Sequence, residues 1–103
     1  MKNVEAIIKQ RKLNEVLEAL SVAGFSGVTV REVRHIAGWN WHLDVPMVQV
    51  DITVPDGDVN RAIAAVMGAA HTGNSRDGRI TITAVEHLID ISGGRDEAVA
   101  RAR

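Results

Sequence analysis

A strand, helix, strand pattern occurs twice in this 103-residue chain and restricts the folds open to it. Its clearest element is residues 47–54 (MVQVDITV), whose apolar and polar side chains alternate as in a β-strand that buries one face. Further strands are predicted over residues 2–8, 27–36 and 79–85. Within 27–36 the apolar positions slip by one residue, which predicts a β-bulge in that strand.

Two amphipathic helices separate these strands. Residues 13–20 carry leucine and valine at helical spacing, and Gly24 is expected to end this first helix in a left-handed conformation. Residues 59–67 carry a second apolar stripe. Asp56 or Asp58 is expected to cap the amino terminus of that second helix.

The order of elements predicts an α+β ferredoxin-like fold. Right-handed crossovers in a βαββαβ chain give a four-stranded antiparallel sheet with both helices on one face. The other face is expected to be covered by other subunits. Residues 1–92 are assigned to this domain, and residues 93–103 to a charged tail that follows a glycine hinge.

Composition narrows the classes of function. The net charge of −1 with mixed signs argues against a nucleic-acid surface, and the lack of cysteine excludes disulfides and thiolate chemistry. No apolar run approaches 18 residues, and the amino-terminal segment does not match a signal peptide. A cytoplasmic protein is expected.

Residues 73–80 (GNSRDGRI) contain two glycines at the spacing of a phosphate-binding loop, with Arg79 and Ile80 in place of the usual Lys and Ser/Thr. A Walker loop runs from a strand into a helix, whereas this loop leaves a helix and enters a strand, so the Walker interpretation fails. Two readings remain open: a plain turn, or an anion nest of backbone N–H groups beside Arg76 and Arg79.

Catalysis has no support in the sequence. The histidines at positions 35, 42, 71 and 87 do not have the spacing of a metal site, and no nucleophile lies beside a base. An enzyme is therefore not expected. The segment 38–46 (GWNWHLDVP) has the breakers of a surface loop and holds both tryptophans, Trp39 and Trp41.

Four segments together resemble the PII signal-transduction family: MKNVEAIIKQRKLNEVLEAL, GVTVREVRH, VDITVPD and AAHTGNSRDGRI. The resemblance implies a homotrimer with nucleotide clefts between neighbouring subunits, which binds ATP or ADP, often with 2-oxoglutarate, and regulates transporters or enzymes through a long T-loop. It also implies a set of nucleotide-binding residues: Ile7, Gly27, Thr29, Asp51 and Thr53 at the adenine end, and Arg76, Asp77, Gly78 and Arg79 at the phosphate end. With the resemblance, the anion nest becomes the favoured reading of the loop.

Several departures from the family pattern change the expected effector. The T-loop position holds only the short segment with Trp39, Trp41 and His42, which we expect to contact a partner, an effector or a neighbouring subunit. The two family arginines that reach the phosphates fall at Asp90 and Ser92. Weak or absent responses to ATP and 2-oxoglutarate are expected. ADP, AMP or a small anion such as bicarbonate is the expected effector, with no tightly bound cofactor, and the regulated partner is expected to be a protein such as a membrane transporter.

Two other functions remain open. The first is a metal-responsive module of the kind that occurs beside heavy-metal efflux systems, in which His35, His42 and Asp44 would bind a cation. The second is a trimeric scaffold for protein contacts that binds no small ligand.

Overall fold

Six main elements make up the fold, and the structure, a computed structural model, describes residues 1–35, 45–74 and 76–98. They are β1 (Lys2–Lys9), α1 (Leu13–Val22), β2 (Thr29–His35), β3 (Val45–Val54), α2 (Val59–Ala70) and β4 (Gly78–Ala84). Neither helix in these ranges is long and apolar enough to cross a membrane.

The four strands form one antiparallel sheet in the order β2-β3-β1-β4. The predicted ferredoxin-like arrangement is therefore confirmed. The predicted bulge in β2 is wrong, because residues 29–35 pair one to one with residues 51–45 of β3. The slip in the apolar pattern has another cause: Val30 shares one face with Val50, whereas Val33 lies on the other face beside Met47, which is 6% exposed.

Both helices cover one face of the sheet. Alternate residues of β1, from Val4 to Ile8, are buried on this face with their partners on β3. Val16 and Leu20 of α1 and Val66 of α2 complete the core, and none of these three side chains is more than 2% exposed. Full burial of such aliphatic side chains contributes about 1.5–3 kcal/mol each. The core is thus built from small aliphatic residues, as the composition indicates.

The structure bears out the predicted carboxyl end of α1 but not the predicted amino-terminal cap of α2. Gly24 does end α1: its φ is +93°, and the N–H of Phe25 reaches back to the carbonyl of Leu20 at 2.9 Å. The predicted side-chain cap of α2 is wrong. Residues 56–58 form a 3-10 turn, and Asp58 has helical dihedral angles and makes no side-chain capping hydrogen bond.

The two aspartates of that turn instead form ion pairs with positively charged groups of the chain. Asp56 accepts a hydrogen bond from the amino group of Met1 at 2.9 Å, which lowers the pKa of its carboxyl. Asp58 lies 3.4 Å from the guanidinium of Arg61, one turn further along α2. The turn is therefore held by ion pairs in place of a cap.

The sheet face opposite the helices is polar and carries rows of side chains that cross all four strands. One row runs through Thr29, Asp51, Glu5 and Thr81. The next runs through Arg31, Gln49, Ile7 and Arg79. We call this surface the open face. It contains most of the residues that the family resemblance assigns to a nucleotide site.

Candidate functional site

The loop 72–79 joins α2 to β4, and Asp77 organises it. One carboxylate oxygen of Asp77 accepts hydrogen bonds from the backbone N–H groups of Thr72 at 2.6 Å and Gly73 at 3.1 Å. The other oxygen accepts a hydrogen bond from the Thr72 hydroxyl. The first two residues of the loop thus donate three hydrogen bonds to the Asp77 carboxylate, and these contacts hold that part of the loop against Asp77.

Lys9 approaches the same carboxylate from the end of β1. Its Nζ lies 3.1 Å from Oδ1 of Asp77, and the two side chains are only 8% and 16% exposed. The hydrogen bonds from Thr72, with a further contribution from Lys9, hold the pKa of the Asp77 carboxyl well below its usual range. Asp77 is therefore ionised at neutral pH and already surrounded by donors.

Gly78 lets the loop enter the sheet in close contact with β1. Its φ is +123°, and a Cβ built at this position would lie 1.8 Å from the carbonyl oxygen of Ile7. No side chain fits in that space. Glycine at this position therefore allows the loop to lie close to β1 where the β1–β4 pairing begins.

Arg76 and Arg79 supply the positive charge of the loop. Both are exposed, and neither guanidinium forms an ion pair with any residue in the described ranges. The backbone N–H of Arg76 donates to Oδ1 of Asn74 at 2.8 Å, which closes a tight turn. Since Lys9 compensates Asp77, an approaching anion meets two arginines whose charges are not cancelled within the loop.

Four of the five adenine-end residues of the prediction lie on or next to β2 and β3, and the fifth, Ile7, lies on β1. Thr29 is paired with Asp51, and Thr53 is two residues further along β3 on the same face. Gly27 precedes β2 with a φ of +74°. Asp51 is held by the amide groups of Gln49, at 2.9 Å, and of Asn3, at 3.4 Å.

Within one chain, the structure separates the predicted nucleotide-binding residues into two groups. Ile7 and the loop 72–79 lie along β1 and β4, whereas Gly27 and Thr29 lie at the β2 edge. Strands β2 and β4 are at opposite edges of the sheet, three strand spacings or about 14 Å apart. One copy of the chain therefore does not enclose a nucleotide between the two groups.

A cleft of about 470 Å³ lies on the helix side of the sheet, between α2 and β4. Its floor and walls are apolar and include Ile63, Met67 and Ile82, while Asp77 to Arg79 close one end. The other predicted residues do not line it. The carboxyl end of the loop 72–79 is thus accessible from the helix side of the sheet.

Sequence reasoning missed Lys9 and Thr72 as parts of the site. A lysine that ends the apolar run AIIK looks like the exposed end of a strand, and a threonine beside a glycine looks like an ordinary turn residue. Their roles depend on Asp77, which lies 68 residues from Lys9. The burial of Lys9, which is seen only in the structure, is the observation that indicates its role.

The segment that follows β4 folds back on itself around two aspartates. Asp90 accepts hydrogen bonds from the backbone N–H of Ser92 at 2.9 Å and from its hydroxyl at 2.6 Å, which lowers the pKa of Asp90. Asp96 accepts from the backbone N–H of Leu88 at 3.2 Å, and the N–H of Glu97 donates to the carbonyl of Leu88 at 2.8 Å. Residues 88–98 therefore form a hairpin-like return.

This return is expected to loosen as the pH rises. Nδ1 of His87 lies 2.6 Å from the Asp96 carboxylate, which raises the pKa of His87, with Glu86 adding to the effect. A raised folded-state pKa means that the contact stabilises the return below the ordinary pKa of about 6.5 and is lost as pH rises through the folded value. Amide-exchange protection at Glu97, corrected for intrinsic exchange, should fall between pH 5 and pH 9.

The matched variant is His87→Gln, which keeps a polar side chain that does not titrate in this range. Its Glu97 protection should be independent of pH. A pH dependence as steep as that of the wild type would assign the effect to another group.

Several predicted residues lie outside the described part of the chain. Trp39, Trp41, His42 and Asp44 are among them, and His35 is described only as the last residue of β2. The predictions for the partner or effector loop and for the alternative metal site therefore stay predictions. In the ranges that the structure does describe, no three His, Asp or Glu side chains are grouped to hold a metal.

Comparison with known proteins gives a consistent result. The family model described as "Nitrogen regulatory protein P-II" matches residues 1–95. A nitrogen regulatory protein P-II of Azospirillum brasilense is 39% identical over 105 residues, covering 91% of this chain and 94% of that protein. A protein of the same description from Pasteurella multocida is 38% identical over 107 residues, covering 93% and 96%, respectively.

Proposed function

The chain belongs to the nitrogen regulatory protein P-II family, and from that premise we propose that it is a homotrimeric regulator that senses a small effector. The effector is an adenine nucleotide such as ADP or AMP, or a small anion such as bicarbonate. The trimer acts on a partner protein, such as a membrane transporter, in the cytoplasm. It works by binding and release, and catalysis is not part of the proposal.

The separation of the predicted site into two groups is the observation that carries this proposal. Arg79 lies at one edge of the sheet, with Ile7 beside it on the inner strand β1, and Thr29 lies at the other edge. In a head-to-tail ring the β4 edge of one copy faces the β2 edge of the next, and such rings close when the rotation between copies is right. This arrangement would bring the two groups together around one ligand.

The exposed edges support a ring. Strands β2 and β4 are both seven residues long, and among residues 1–35, 45–74 and 76–98 each is paired on one side only. An unpaired strand edge of this kind is a place where another chain can associate. The polar open face, with its row from Thr29 to Thr81, would then face the interior of the assembly.

The charges of the site favour a ligand with few phosphates. Arg76 and Arg79 can each donate to a phosphate or carboxylate, while Asp90 places a carboxylate where the family resemblance puts a phosphate-binding arginine. A hydrogen bond to a charged group contributes roughly 1.5–3 kcal/mol, so the loss of two such donors weakens triphosphate binding most. ADP, AMP or a small anion needs fewer of them.

Titration calorimetry with ADP, AMP, ATP and bicarbonate tests the effector. We expect binding of at least one of the first two or of bicarbonate, with ATP weaker than ADP. Arg79→Gln should lower the affinity about tenfold, because one charge-assisted hydrogen bond to the anion is lost. Arg61→Gln is the control: this arginine lies on α2 beside Asp58, and its replacement should leave affinity unchanged.

The molar mass in solution, measured by light scattering, tests the assembly. A mass three times that of the 11.1 kDa chain is expected. A monomer that binds ADP tightly would overturn the proposal of a site shared between copies. A trimer that binds none of the four ligands would remove the effector part and leave a scaffold for protein contacts.

A further inference from the structure

We propose that Lys9 is the positioning residue of the loop 72–79, and that it acts on the effector site through Asp77 without contacting the ligand. This inference rests on the proposed function, since it concerns the same anion-binding loop. It assigns Asp77 a different role from the one the family resemblance implies. In this view Asp77 shapes the loop, and Arg76 and Arg79 contact the anion.

The first argument is the burial of Lys9. Its residue is 7% exposed, which makes it the buried charged residue in the described ranges. An ammonium group removed from water is strongly destabilised unless a counter-charge and hydrogen bonds replace its hydration. Asp77 supplies that counter-charge at 3.1 Å. The position of the Asp77 carboxylate is therefore tied to the end of β1.

The second argument is that Asp77 has little capacity left for a ligand. It accepts hydrogen bonds from the backbone N–H groups of Thr72 and Gly73, from the Thr72 hydroxyl and from Lys9. A carboxylate offers about four lone-pair sites, so its acceptor capacity is filled. As an anion it also repels a phosphate. Both properties suit a group that organises the loop from within.

The third argument concerns the charge that an effector meets. An uncompensated Asp77 would cancel one of the two arginines beside it in sequence, Arg76 or Arg79. The ammonium group of Lys9 offsets the negative charge of Asp77 on the buried side of the loop. Both guanidinium groups therefore still attract an anion that approaches from solvent. Lys9 thus changes the affinity for an anion without touching it. Gly78, directly after Asp77, keeps the loop close enough to β1 for this contact.

A double-mutant cycle separates this role from direct contact. Lys9→Met is expected to lower ADP affinity about tenfold, because it leaves Asp77 uncompensated beside the ligand. In the Asp77→Asn background the same change should alter affinity by less than about threefold, since the charge to be compensated is gone. If Lys9 contacts the ligand directly, the loss will be about the same in both backgrounds, which would overturn the proposal.

The control is Lys12→Met. Lys12 lies in the 3-10 turn before α1 and pairs with Glu15 at 3.2 Å, and its removal changes the net charge equally while leaving the Lys9–Asp77 pair in place. Its ADP affinity should stay within about twofold of the wild type. An equal loss in Lys12→Met would mean that net charge alone sets the affinity, and the positioning role would be rejected.

Amide exchange gives a measurement that needs no ligand. In Lys9→Met the N–H groups of Thr72 and Gly73 should exchange at least about tenfold faster than in the wild type, whereas Lys9→Arg should restore protection. If Lys9→Met does not fold, Lys9→Gln takes its place with the same expectation. Failure of the wild type to bind any of the four effectors would contradict the proposed function alone, because exchange would still decide the role of Lys9. Unchanged exchange at both amides would overturn that role.

Discussion

Replacing Gly78 with alanine is expected to destabilise the fold by about 4 kcal/mol, the sum of overpacking and a strained backbone. The added Cβ would lie 1.8 Å from the carbonyl oxygen of Ile7 and 2.9 Å from its carbon, and both are backbone atoms that cannot rotate away. Strand β4 would have to move off β1 at the start of their pairing. Since a small domain has only about 5–15 kcal/mol of stability, the loss should be visible as a large shift of the urea midpoint.

Gly73→Ala is the matched control for this prediction. Gly73 also has a positive φ, of +87°, but among the described residues no atom beyond its chain neighbours lies within 4 Å of its added Cβ. The backbone strain alone should lower the free energy of unfolding by about 1–2 kcal/mol. Equal losses for the two variants would show that the close approach to β1 does not determine the effect of Gly78→Ala.

Much of the fold could be predicted from local patterns because its core is built from regular alternation and helical stripes. The strand at 47–54 and the helical stripe at 59–67 each have one buried face, and the spacing of the apolar residues alone indicates which face it is. The structure extends β3 back to Val45, through Pro46. This is possible because pairing with β1 ends at Met47, so the missing N–H of the proline leaves no β1 carbonyl without its partner.

The site could be predicted only in part, because its main contacts join distant parts of the chain. The two glycines and two arginines of the loop 72–79 are visible in sequence, and they suggest an anion site. The burial of Lys9 and its contact with Asp77 depend on the β1–β4 pairing, which no local pattern contains. Similarly, the two aspartates predicted to cap α2 pair instead with the amino group of Met1 and with Arg61.

We expect the choice of effector to depend most on the return that contains Asp90 and Ser92. Here the carboxylate of Asp90 binds the N–H and the hydroxyl of Ser92, and its carbonyl accepts from the N–H of Gly94 at 2.7 Å. Through these contacts Asp90 stabilises the turn formed by residues 90–94. Its negative charge nevertheless remains at a position that the family resemblance assigns to a cation. We therefore expect that changing these two residues would raise the affinity for ATP.

The double variant Asp90→Arg, Ser92→Arg is expected to bind ATP about 100-fold more tightly than the wild type. Two charge-assisted hydrogen bonds contribute roughly 3 kcal/mol together at the lower end of their range, and repulsion by Asp90 is removed as well. The gain should be larger for ATP than for AMP, since the added cations act on the terminal phosphates. Titration calorimetry at two salt concentrations measures both effects, because the gain should shrink as salt rises.

The variant Glu15→Arg, Ser21→Arg provides the same change of charge at exposed positions of α1, and it controls for general attraction of anions. It should change ATP affinity by less than about threefold, since both positions lie on α1, outside the return that contains Asp90 and Ser92, and salt screens exposed charges. An equal gain in both variants would assign the effect to net charge. No gain in the first variant, with the molar mass in solution unchanged, would mean that positions 90 and 92 do not reach the phosphates, and the proposed effector site would then have to be completed by other residues.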